Sequence, residues 1–190
     1  MRLMILAVAL FVAAGLTTFP AADKASARRH AQAAAGAVTP CDAQAVVNDP
    51  DPQGMNVRSG PGGTFKVIGN LPNADVNGIS VHITGAQGEW VRIDRADEQG
   101  GEPEDRVFFK GLGWVYAPLL TVDGVGGIAG GTKLYKEPSA KSRVVARMPV
   151  DVGGATVHGC KGKWLYVEHK KVRGWAAPGT TCSNALTNCN

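Results

Sequence analysis

Two stretches of this chain follow the same grammar at a nearly constant distance, and that constrains the fold more than any other feature. Val57, Pro61, Leu71 and Pro72 return 77 positions later as Leu134, Pro138, Met148 and Pro149. Gly85, Gly88 and Trp90 return 74 later as Gly159, Gly162 and Trp164. Gly113, Trp114, Ala117 and Pro118 return about 60 later as Gly174, Trp175, Ala177 and Pro178. Similarity at a fixed period means that one supersecondary unit has been laid down twice. The shortening falls in residues 94–107, rich in Asp, Glu, Gly and Arg, so the first unit carries an inserted, solubilising loop.

The unit reads as β structure. Asn56-Val57-Arg58 running into Ser59-Gly60-Pro61-Gly62 is a short strand entering a tight turn, because Gly supplies positive φ and Pro presets its own. Phe65 to Pro72, Gly78 to Ile83, Glu89 to Ile93 and Gly113 to Pro118 alternate or are bounded by turn residues in the same manner. The 25 Gly and 11 Pro punctuate the chain, and beyond its N-terminal run no long stretch keeps a period near 3.6. An all-β protein with almost no helix is expected, with Asp123 to Gly131 as a Gly-rich linker between units.

The N-terminus has its own logic. Arg2, the apolar run Leu3 to Leu16 and a small-residue stretch ending Ala25-Ser26-Ala27 have the layout of a secretory signal peptide, residues 1–27. The run is short for a bilayer span, so no membrane span is expected in the mature chain. Cleavage would leave residues 28–47 as a flexible lead and 183–190 as a tail carrying Cys189. Export, to the periplasm or outside the cell, turns the four cysteines into disulfide candidates. Three connectivities are open. Cys160 with Cys182 and Cys41 with Cys189 are favoured, the first contributing on the order of 3 kcal/mol in the chain-entropy model; Cys182 with Cys189 is the competing, short-loop choice.

Asn56-Val57-Arg58-Ser59-Gly60-Pro61-Gly62, then Gly85-x-x-Gly88-x-Trp90-Val91-x-Ile93, then Gly113-Trp114-Val115-Tyr116-Ala117-Pro118 resembles the bacterial SH3 (SH3b) family. The likeness is strong over about 55–122 and moderate over 128–180. It implies two small, strongly bent β-barrels in tandem, one over 48–122 and a divergent copy over 132–182. The second copy departs at its opening, where Leu134-Tyr135-Lys136-Glu137-Pro138 stands for Val-Arg-Ser-Gly-Pro. The resemblance further implies a binding role at the bacterial cell envelope. Implied ligands are peptidoglycan stem or bridge peptides, another anionic cell-wall polymer, or an exported protein for which the chain is adaptor or inhibitor.

Charge divides at the same boundary. Residues 41–123 hold six Lys and Arg against twelve Asp and Glu, and residues 124–190 hold ten against three. Either the halves attract each other or the basic half faces an anionic partner. Lys161, Lys163, Lys171 and Arg173 are the candidates to meet carboxylates of a wall polymer. Tyr116 and Tyr135 are the candidate surface aromatics and Arg58 the cation of the opening motif, whereas the tryptophans read as packing. Nucleic acid is a poor partner for an exported chain. Once both units are assigned, too little chain remains for a catalytic domain. His158 and Cys160 are not read as a base and nucleophile pair. His82, His158 and His169 lack metal-ligand spacing with the cysteines, so neither enzymatic activity nor a cofactor is expected.

Overall fold

Alternation decides which residues face inward. In the run Trp90–Glu98, Val91, Ile93 and Ala96 are fully buried while Trp90, Arg92 and Asp94 lie on the other face, the period of two that a half-buried strand imposes. The same arithmetic recurs through a computed structural model that describes residues 36–73, 78–99, 106–125, 128–148 and 154–183. Strands account for its regular structure, and among the described residues there is no α-helix. No helix among them is long and apolar enough to cross a membrane. The signal peptide, residues 100–105 of the inserted loop and Cys189 lie outside the described residues.

An opening strand, β1 (Thr39–Val47), precedes the first unit of β2 (Met55–Arg58), β3 (Val67–Leu71), β4 (Ile79–Gln87), β5 (Trp90–Glu98) and β6 (Val107–Tyr116). A 3-10 turn, Ala117–Leu119, leads into β7 (Leu120–Gly124). The second unit is β8 (Thr132–Tyr135), β9 (Val144–Met148), β10 (Ala155–Lys161), β11 (Trp164–His169) and β12 (Val172–Ala176), followed by β13 (Thr181–Cys182). They join in one antiparallel sheet that does not close, in the order β3-β2-β6-β5-β4-β1-β7-β10-β11-β12-β8-β9, with β13 on β7.

The repetition extends to hydrogen-bond register. Val57 lies opposite Gly69 and Arg58 opposite Val67; 77 residues on, Leu134 lies opposite Ala146 and Tyr135 opposite Val144, with the bulge at the same step. Between β4 and β5 a bulge separates Ile83 from Gly85, and between β10 and β11 one separates Val157 from Gly159. The turn that departs in sequence is kept in backbone. Ser59 N–H donates to Lys66 O at 2.9 Å and Lys136 N–H to Arg143 O at 2.8 Å.

Strand β7 interlocks the units by lying between β1 and β10. β1 thus stands to β4 as β7 stands to β10, and the buried residues of both units merge into one core that includes Ile83, Ile93, Leu120, Leu134 and Val167. Two expectations need correction here. Residues 39–47 are a strand, not flexible lead, because the edges of β4 and β7 pair with them; Asp123 and Gly124 likewise belong to β7 and not to a linker.

The favoured disulfides are also overturned, since Cys41 is bonded to Cys160 with Cα atoms 5.8 Å apart. The start of β1 runs beside the β10–β11 turn, where Asp42 N–H donates to Gly162 O and Gly162 N–H to Pro40 O, both at 2.9 Å. That brings the two sulfurs together. Cys182 sits in β13 beside Asp123 and is itself disulfide-bonded; the Cys182 with Cys189 alternative rests on Cys189, outside the described residues.

Candidate functional site

The inward positions are filled by aliphatic residues, which leaves the aromatic rings to the outer face. Only Trp114 among the tryptophans is buried, at 8% exposure; Trp90, Trp164 and Trp175 are half-buried. Each pairs with a tyrosine. Trp90 and Tyr116 have centroids 5.5 Å apart at 53°, Tyr135 meets Trp164 edge-on at 5.7 Å, and Tyr166 lies 5.0 Å from Trp175. The packing expectation therefore fits Trp114, while the candidates Tyr116 and Tyr135 each share a surface cluster with a tryptophan.

Two clefts are built on these pairs. One of about 540 Å³ lies beside Trp164, walled by Pro40 and Cys41 of β1, by Pro138 of the β8–β9 turn, and by Lys161, Gly162 and Asp42. Its lining is mostly apolar, with Lys161 and Asp42 as its charges. The other, about 390 Å³, lies beside Trp90 and Tyr116 and includes Arg58, Asn56, Asp49 and Asp51. Aromatic floors with a few polar groups at the rim are the usual make-up of ligand sites.

The basic candidates do not form one patch. Lys161 and Lys163 flank the turn before β11, whereas Lys171 belongs to the turn after it. Six residues of strand put about 17 Å between the two ends at the usual rise. Lys170 and Lys171 hold that second turn with φ of 48° and 65°. Arg173 is committed to Glu168 at 2.7 Å, and Lys163 lies 3.5 Å from Asp42. Lys161 is exposed and makes no ion pair with a described residue. Arg58 donates to Phe65 O at 2.9 Å.

Two charge networks cross between the units. His82 faces Asp94 at 2.8 Å and Asp42 at 3.2 Å. Partial burial opposes its charge, but the bonds to Asp42 and Asp94 outweigh that and raise its pKa; the bond from His82, then Lys163, lowers that of Asp42. His158 lies 3.4 Å from Glu168 and 3.8 Å from Glu89, with its Nδ1 buried and without a hydrogen bond. Burial and, second, Arg173 lower its pKa against the pull of both glutamates. Among the described residues no three His, Cys, Asp or Glu side chains are grouped to hold a metal.

Tyr116 and Arg58 are thus brought together, as are Lys161 and the ring that Tyr135 contacts; Lys171 and Arg173 are placed elsewhere. Pro40, Asp42 and Pro138 escaped sequence reasoning. The first two lie in the stretch read as lead, and only the fold brings them to Trp164. No family model matches this chain, and neither does any curated protein or solved structure.

Proposed function

We propose that the chain is an exported, non-catalytic binding protein of the bacterial envelope, built from two SH3b-type units, that recognises peptidoglycan or its peptides. The observation that carries this reading is the 540 Å³ cleft beside Trp164, with Lys161 at its rim. An extended peptide lays its apolar atoms along Trp164, Pro40 and Pro138, and Lys161 meets a peptide carboxylate through a charge-assisted bond. The Cys41–Cys160 disulfide in the cleft wall accords with an oxidising compartment.

Co-sedimentation of the exported, purified protein with sacculi at low and moderate salt tests this. Binding is expected to fall with salt, to weaken on Lys161→Ala and Trp164→Ala, and to be indifferent to Lys171→Ala. Binding that ignores Lys161 and Trp164 discards the cleft. Absence of binding altogether favours the second reading, an adaptor or inhibitor of another exported protein. What supports that reading is the exposed apolar set Phe65, Val67, Ile68 and Leu112, two of them on the edge strand β3.

A further inference from the structure

The cleft of the first unit has a different polarity from that of the second, and the repeat reveals which residues make the difference. The turn entering β2 closes with Gly54 N–H donating to Asp51 O, and the turn entering β8 closes with Gly131 N–H donating to Ile128 O, both at 2.9 Å. Ile128 therefore stands where Asp51 stands, Lys133 where Asn56 stands and Tyr135 where Arg58 stands. Asp49 and Asp51 do cap their own turn, accepting from Asp51 N–H and Gln53 N–H at 2.9 Å. The second unit makes the same turn with an isoleucine, so the fold does not require the carboxylate.

Both carboxylates line the cleft whose other wall is the Trp90–Tyr116 corner. Asp49 is only 9% exposed, yet no cation among the described residues pairs with it or with Asp51. Arg58, which lines the same cleft, makes its hydrogen bond to the Phe65 carbonyl. Two carboxylates without a cation partner, set beside two aromatic faces in one cleft, attract positive charge.

We propose that this cleft binds a primary ammonium carried on an aliphatic stem. The methylenes lie against Trp90 and Tyr116, and the ammonium donates to Asp49 and Asp51. The lysine side chain has this chemistry, as does any diamino acid with a free terminal amine. The site stands independently of wall binding, since neither Lys161 nor Trp164 takes part.

The test titrates Nα-acetyl-lysine methylamide, and its Nε-acetylated neutral counterpart, into the nitrogen-15-labelled protein, following the indole N–H signals. The amine is expected to shift the Trp90 signal saturably and the neutral probe to leave it in place. Asp51→Asn and Asp49→Asn should each weaken the amine roughly tenfold. The buried Trp114 signal reports that each variant remains folded. Equal response to both probes, a response confined to Trp164, or undiminished binding by a folded Asp51→Asn variant overturns the proposal. Because sacculi are not used, failure here is distinct from failure of wall binding.

Discussion

His82 and His158 lie on corresponding strands but titrate against opposite backgrounds, so they give stability opposite pH dependences. His82 is ringed by Asp42 and Asp94, with Lys163 behind Asp42, and its folded pKa is raised above 6.5. Its contribution is therefore complete below about pH 6.5 and is lost as pH rises through the folded value. His158, facing Glu89, Glu168 and Arg173, has a folded pKa lowered from 6.5. Its contribution is present above about pH 6.5 and is lost as pH falls through the folded value. Thermal midpoints of His82→Gln and His158→Gln across roughly pH 5 to 8 should separate the two. The wild type's advantage over His82→Gln is expected to be largest at the acid end and its advantage over His158→Gln at the alkaline end; parallel profiles would contradict the assignment.

At the scale of elements, the repeated Gly-Trp pair explains itself. Gly113 on β6 and Gly174 on β12 are buried where the strand passes the second residue of its partner's bulge. A Cβ on Gly113 would collide with Val57 Cγ1 and meet Phe109 at 2.8 Å; one on Gly174 would meet Leu134 Cβ at 2.8 Å and Val145 at 2.9 Å. Gly113→Ala and Gly174→Ala should each cost about 1–3 kcal/mol by overpacking, measured by urea denaturation. Alanine tolerated at both sites would mean that β2 and β8 are free to move. Such pairs were legible because packing this tight tolerates few residue types, and the period made them visible twice. β1 was not legible: of Thr39–Val47 only Ala45 and Val46 are buried, and its extended form comes from the edges it joins. The misread disulfide follows from that, since Cys41 reaches Cys160 only through β1. Among the basic candidates, sequence proximity hides the length of β11 between Lys161 and Lys171.

For the whole molecule, the interlock means that the second unit is not a separable domain. β10 takes its outer partner from β7, which precedes the second unit in the chain, and β13 pairs with β7 as well. A fragment starting at Val125 would leave β10 with an unpaired edge and remove the buried Leu120 and Val122 from the core. It should show poorly dispersed amide signals and no cooperative melt, and a fragment restarted at Tyr116 should recover both in part. The Cys41–Cys160 bridge acts at the same scale, because its 119-residue separation encloses β2 to β9 and so spans both units. Chain entropy puts its contribution at about 5 kcal/mol, above the roughly 3 kcal/mol of a bridge confined to one unit. A Cys41→Ser, Cys160→Ser double variant is accordingly expected to lower the stability of both units in a single transition. Two resolved transitions, with only the second unit weakened, would show that the shared core does not couple them, and folding of the Val125 fragment would then be the consistent result.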